Sequence, residues 1–231
     1  LESFLVKHIE EKIFTNFDKI ILYSKHEIKK ISKDFRKNIV NVNLSVNLIQ
    51  NKFSFSKKNN KIIFVGNLGY IPNLLAVKDF IFNILPFLRK KIPDIQFLII
   101  GNINRLDRFL LSFHRNTFFL GQQRKIDKYI KNSFCGLANL KIASGVQGKV
   151  LTYMSFGLPV ICSKKIAANF EKNVMDYNNS NELIKKIKGL KKNKRLSISL
   201  SKKSLKFIKK FSENKVCLEY LKIVNFSKKL S

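Results

Sequence analysis

The chain is short of the residues that staple or metallate small folds. Its three cysteines (Cys135, Cys162, Cys217) and three histidines (His8, His26, His114) lie far apart, and no C-x-x-C occurs. A disulfide framework is excluded, and a structural zinc has no ligand spacing to use. Scattered free thiols fit a reducing cytoplasm. Long apolar runs are missing too. The nearest to a spanning segment, Leu74 to Leu88, is interrupted by Lys78 and Asp79, so no transmembrane helix is expected. The first residue is Leu1 rather than Met, and nothing near it resembles a signal peptide with a small-residue cleavage site. Acidic residues are scarce: 15 Asp and Glu stand against 45 Lys and Arg, a net charge of +30. That excess invites nucleic acid or an anionic membrane. The over-represented residues, however, are those of A/T-rich codons, so the placement of charge carries more information than its total.

What is present suffices to fold. Of 231 residues, 45% are hydrophobic and 21 are Phe, enough for a core and against wholesale disorder. The length suits one large domain, or one domain and part of another. Leu1–Asp18 has the spacing of an amphipathic helix, Lys19–Ser24 is a run of strand length, and Ser24 is placed to cap a helix over Lys25–Ser32. Asn38–Val46 alternates as a strand does, and Asn51–Asn60 is polar and basic, as in a linker. Strand and helix then take turns. Strands are expected at Lys61–Asn67, Ile95–Gly101, Thr117–Gly121, Phe134–Leu140 and Val160–Ser163, with a sixth near Asn173–Tyr177. Helices fall at Asn73–Lys91, Arg105–Phe113, Ile126–Asn132 and Lys149–Phe156. Continuously apolar strands alternating with helices indicate a doubly wound, parallel α/β sheet. Such sheets bind ligands at the carboxyl ends of their strands, where the chain order reverses. Gly66, Gly101 and Gly121 end three strands and leave room there for a close-approaching ligand. From Asn181 onward the chain is helical and basic. Between Lys185 and Lys215 thirteen Lys and Arg accompany one acid, Glu213, the pattern of a solvated face on helices packed against the domain.

Several chemistries lack their signatures. There is no P-loop, no G-x-G-x-x-G and no G-x-S-x-G elbow. His114 reads as an ordinary surface side chain near a strand start. One segment stands apart, Lys141-Ile-Ala-Ser-Gly-Val-Gln-Gly-Lys-Val-Leu-Thr-Tyr-Met-Ser-Phe-Gly-Leu-Pro-Val160. A strand ends, a glycine loop turns, and a helix begins with its free N–H groups toward the strand ends. Such a helix start suits phosphate, and Lys141 and Lys149 flank it as sources of charge-assisted contacts.

The run GVQGKVLTYMSFGLPVI resembles the donor-site motif of the retaining glycosyltransferases of family four, close to G-x-Q-N-K-V-L-E-A-M-A-x-G-x-P-V-V. Upstream, Phe64-Val-Gly-Asn-Leu-Gly-Tyr-Ile-Pro-Asn73 is similar to the F-x-G-x-M-x-Y-x-P-N start of the donor domain in one subgroup. Lys19–Lys29 is similar to the last strand and helix of the family's N-terminal domain. The resemblance implies a GT-B fold, two Rossmann-like domains facing across a cleft. Residues 1–50 would be a remnant of the acceptor-side domain, 51–60 the linker, 61–180 the donor-binding domain and 181–231 the basic C-terminal helices. Most of the acceptor domain would then be missing, as in a truncated product or fragment.

The implied activity is that of a hexosyltransferase. A sugar passes, with retention and without a metal, from a nucleotide-diphosphate sugar to a glycan or lipid-linked acceptor in cell-surface polysaccharide biosynthesis. The donor is a substrate, and no cofactor is implied. The expected place is the cytoplasm, with the basic tail in peripheral contact with the anionic inner membrane face; no specific nucleic acid partner is expected. By carry-over, the amides of Gly145, Val146 and Gln147 hold the diphosphate. Lys149 contacts phosphate or sugar, and Gly66 lets the diphosphate lie against the backbone. The family's E-x7-E pair falls at Ser144 and Thr152, so both carboxylates are absent. Its basic pair falls at Asn67 and Pro72, neither charged. Phosphate binding would rest on the helix start, Lys141 and Lys149. Alternatives are a catalytically degenerate relative serving as a binding module, a nucleic-acid binder argued from charge alone, and a sugar-nucleotide epimerase of the same fold.

Overall fold

The computed structural model describes residues 2–31, 33–49 and 53–228. In chain order they form α1 (Glu2–Asn16), β1 (Ile20–Leu22), α2 (Lys25–Ile28), a 3-10 turn (Lys33–Asn38) and β2 (Ile39–Asn41). Then come β3 (Lys61–Val65), α3 (Ile71–Asn83), α4 (Leu85–Arg89), β4 (Gln96–Ile100), α5 (Arg105–Ser112), β5 (Thr117–Gly121) and α6 (Asp127–Lys131). The chain continues through β6 (Cys135–Ala138), α7 (Gly148–Ser155), β7 (Val160–Ser163), α8 (Lys164–Ala167) and β8 (Met175–Tyr177). Three helices close it, α9 (Ser180–Lys192), α10 (Lys194–Ile208) and α11 (Glu213–Lys228). Contacts divide the chain into two compact units. One gathers residues 1–46, 144–146 and 210–231; the other holds 47–143 and 147–209.

In the first unit β1 and β2 pair in parallel, Ile20 opposite Ile39 and Leu22 opposite Asn41. The strand expected over Asn38–Val46 is real only at Ile39–Asn41, because β1 offers just three residues to pair with. Past it, Val46 bridges Ser212 instead. Ser24 caps α2 as expected, its Oγ accepting from the Glu27 N–H at 3.3 Å. α11 is tied in by Asn43 N–H donating to Glu219 at 3.3 Å and by the Tyr23 and Tyr220 hydroxyls at 3.3 Å.

The second unit is built on a six-stranded sheet in the order β5-β4-β3-β6-β7-β8, every pair parallel. The doubly wound sheet expected from the alternation is therefore present. Its strands are apolar on both faces because helices cover both: Ile62, Ile63, Phe64, Phe97, Ile99, Leu137 and Ile161 are all buried. Each such side chain contributes about 1.5–3 kcal/mol by leaving water. α9 and α10 bury Leu183, Ile187, Leu190, Phe207 and Ile208, while Lys185, Lys192, Lys202 and Lys203 are exposed. One expected helix, Asn73–Lys91, is two. Pro86 has no N–H to give the Phe82 carbonyl and its ring crowds that oxygen, so α3 ends at Asn83 and α4 starts at Leu85.

Candidate active site

The chain runs outward from β3 through β4 to β5, then returns to lay β6 on the other side of β3. The order reverses between β3 and β6, and there a parallel sheet opens a crevice at its carboxyl end. The ladder shows the opening directly. β3 and β6 pair only at Ile62–Cys135 and Ile63–Gly136, and the Val65 N–H donates instead to the Tyr153 hydroxyl at 2.7 Å. Tyr153, from α7, stands where the two strands part. Its ring lies across Gly136: a Cβ there would sit 2.4 Å from the ring.

The loop after β3 is held by its neighbours. Gly66 N–H donates to Ile100 and Leu68 N–H to Asn102, at 2.8 and 2.7 Å. The Asn67 side chain closes its own turn by accepting from Gly69 N–H at 3.0 Å. Asn73, in the first turn of α3, donates through Nδ2 to the Asn67 carbonyl at 2.8 Å. Its Oδ1 accepts from Lys149 Nζ at 2.6 Å. Both side chains reach the strand end because residue 66 is glycine: a Cβ would lie 2.9 Å from Asn73 and 3.0 Å from the Lys149 ammonium.

Lys149 is the electrostatic centre of this cluster. Its part-buried side chain sets the ammonium 4.0 Å from the centre of the Phe64 ring. It joins none of the ion pairs among the described residues. Loss of water around the charge pulls its pKa from the usual 10.5 to about 7. Lys149 belongs to the first turn of α7, whose N-cap Gln147 is extended (φ −83°, ψ 113°) and caps nothing with its side chain. The next residue, Gly148, has no atom of the described residues within 4 Å of a Cβ position. An uncapped helix start beside an unmatched cation is suited to an anion.

The other expected positions fall differently. At Gly101 (φ +144°) the room is filled by protein, since a Cβ would lie 1.9 Å from the Gly66 carbonyl oxygen. A Cβ on Gly121 (φ +67°) would meet nothing within 4 Å among the described residues. Lys141 is exposed and pairs with Asp79 at 3.1 Å, beside a cavity of about 460 Å³ on the flank of α3. The Thr152 hydroxyl gives its proton to the Gly148 carbonyl at 3.0 Å, which leaves it able only to accept. Ser144, Gly145 and Val146 group with the first unit. There the Glu27 carboxylate lies 3.3 Å from a Cβ position on Gly145 (φ +65°), so a negative charge adjoins that glycine.

Two polar residues went unassigned in the sequence. Asn73 shares the buried stripe of α3 with Ala76, Val77 and Phe80, and an amide on an apolar stripe is the signal that marks it. Asn139, just past β6, donates to the Ala76 carbonyl at 2.7 Å, and its buried Oδ1 has no partner among the described residues. A buried acceptor of this kind calls for a water or a ligand hydroxyl.

Comparison with known proteins shows the family. The family model for glycosyl transferases group 1 matches residues 59–193, more than half of the chain. The chain belongs to this family. Among solved structures it is similar to TarM of S. aureus, at 17% identity and a TM-score of 0.75, over 94% of this chain and 46% of that one. It is also similar to HepE of Anabaena, solved with UDP and glucose, at 10% identity and TM-score 0.71, over 90% of this chain and 63% of that one. The lipopolysaccharide outer core galactosyltransferase WaaB, in its apo form, gives 16%, 0.60, and 93% and 63% coverage. At these identities the likeness shows the fold, a GT-B half domain. The chain spans about half the length of TarM and under two thirds of HepE and WaaB. No curated protein sequence matches it. Gly136 supplies the space that the Tyr153 ring needs. Among the described residues no helix is long and apolar enough to cross a membrane.

Proposed function

We propose that the chain supplies the donor side of a retaining, metal-independent glycosyltransferase that moves a sugar from a nucleotide-diphosphate sugar to a glycan or lipid-linked acceptor. The observation that carries this reading is the Lys149 ammonium, sheltered at the strand-order reversal and in no ion pair among the described residues. A diphosphate is the anion that a donor would bring there. HepE was solved with UDP and glucose and TarM with UDP, which supports a nucleotide sugar as the ligand. In this reading residues 61–180 hold the donor and 1–50 belong to the acceptor side, with 51–60 as linker and 181–231 as the closing helices. Three free cysteines suit a cytoplasmic setting.

The chemistry asked of these residues is stabilisation of a leaving diphosphate. As the bond from the anomeric carbon to the donor oxygen breaks, negative charge grows on the phosphate. Lys149 and the amides of Gly145, Val146 and Gln147 are the groups placed in the sequence to meet it. Asn73 keeps the ammonium over Gly66. The Thr152 hydroxyl, its proton already given away, accepts from a ribose hydroxyl.

The test is thermal shift against UDP-, GDP- and ADP-sugars on the chain and on Lys149→Met. One nucleotide class at about 100 times its Kd should add about 2.7 kcal/mol of stability to the chain and much less to the variant. No shift with any donor would overturn the reading. A second reading, a degenerate relative that keeps the fold without the chemistry, draws on Ser144 and Thr152 in place of two carboxylates and on Glu27 beside Gly145. Thr152→Glu separates the two. Tighter donor binding supports the active reading, and no binding in either form supports the second.

A further inference from the structure

α5 turns its apolar side to the solvent. Leu106, Phe109, Leu110 and Phe113 recur at helical spacing and cover about a 100° arc, whereas Leu111, on the opposite side, is buried. Phe109 and Phe113 are 61% and 71% exposed, and their rings meet edge to face at 4.8 Å. The patch continues beyond the helix. His114 stacks edge-on against the exposed Phe82 of α3 at 4.6 Å, and the exposed Phe87 of α4 lies 5.6 Å from the Lys90 ammonium. Next to these rings is a cleft of about 380 Å³ lined by Pro86, Arg89, Lys90, Pro93 and Arg115. Arg89 Nη1 donates to the Arg115 carbonyl at 3.1 Å, which joins the two walls.

The charges fit one kind of surface. None of Arg89, Lys90, Arg105, Arg108 and Arg115 belongs to an ion pair among the described residues. The nearby acids are already engaged: Asp107 with Lys78 at 2.6 Å, and Asp94 with the Asn60 amide. An apolar arc flanked by arginines is the pattern of a helix that lies in a membrane interface.

We propose that the outer face of α5, with Phe82 and Phe87 beside it, docks on an anionic lipid surface, a headgroup phosphate entering the cleft between Arg89, Lys90 and Arg115. A second copy is disfavoured as the occupant, because a chain of net charge +30 repels itself. Nucleic acid is disfavoured because Leu106 and Leu110, half of the exposed arc, offer no stacking face. The inference does not depend on whether a sugar is transferred.

The chain contains no tryptophan, so Phe113→Trp installs a single reporter at the most exposed ring of the patch. With vesicles of phosphatidylcholine and phosphatidylglycerol its emission should shift to the blue and be quenched by brominated acyl chains. Flotation measures partition. Phe109→Ser with Phe113→Ser should lower it on the order of 100-fold. Arg89→Gln with Arg115→Gln should lower the preference for phosphatidylglycerol by roughly 30-fold, at about 5-fold for each cation. Lys202→Gln with Lys203→Gln, on the exposed face of α10, should leave binding in place; circular dichroism melts confirm that the variants fold. Unchanged tryptophan emission, loss of binding through the α10 pair instead, a dimer that the phenylalanine pair dissolves without vesicle binding, or an oligonucleotide complex in place of vesicle binding would each overturn the proposal.

Discussion

Lys149 should make donor binding take up a proton. The unfolded chain holds this ammonium at the usual 10.5 and the folded chain at about 7. Between those values the unfolded state binds the extra proton, so stability rises with pH by about 1.4 kcal/mol per unit. Below pH 7 both states are charged and the cost of sheltering the ammonium is present in full. Across the window the sum is about 5 kcal/mol, and solvent screening of a part-buried side chain holds the realised amount below that. A diphosphate reverses the balance, because the charged form then has a partner. At pH 8 only about a tenth of the free protein carries the proton, so binding should take up about 0.9 proton. Titration calorimetry with a nucleotide sugar in HEPES and in Tris reads this as a difference in heat that tracks buffer ionisation. Lys149→Met should erase that difference, bind the donor far more weakly, and melt at or above the parent below pH 7. Equal heats in the two buffers with measurable binding, or a variant that melts clearly lower at pH 6, would refute the reasoning.

Asn73→Ala removes the acceptor for Lys149 and the donor to Asn67, and should cost about 1–3 kcal/mol in urea melts and weaken donor binding. Asn73→Asp should restore an ordinary lysine pKa by adding a counter-charge, so that the pH dependence of stability between 7 and 10 flattens. Gly136→Ala collides with the Tyr153 ring and should destabilise by about 1–3 kcal/mol; Tyr153→Ala should recover part of that in the double variant, a coupling visible in a double-mutant cycle. Gly101→Ala should prevent stable folding, because the Gly66 carbonyl occupies the space. Gly121→Ala, at positive φ with open space, should cost only about 1 kcal/mol in the same melts.

The sheet was legible because its signal repeats locally. Each run such as Lys61-Ile-Ile-Phe-Val65 declares a strand covered on both faces, and the glycine-punctuated alternation with helices declares parallel pairing. The break at Pro86 was written in the sequence as well, but a strong apolar periodicity across Leu74–Leu88 masked it. The candidate site was legible only in part. Lys141 and Lys149 flank the same loop and look equivalent as letters. Folding gives one of them Asp79 as a partner and leaves the other with an amide and a ring. Asn73 acquires its meaning from a contact with a residue 76 positions away. Gly101, placed by its strand-end position as room for a ligand, has that room filled by the backbone of a neighbouring strand.

Sequence alone determined the layered α/β architecture and the family, because periodicity and contiguous motifs are properties of neighbouring residues. Tertiary structure decided which cation is sheltered from water, which glycine admits a side chain and which admits backbone, and which helix turns phenylalanines outward. Those depend on what arrives from distant parts of the chain, and free energies of burial and charge are set by that company.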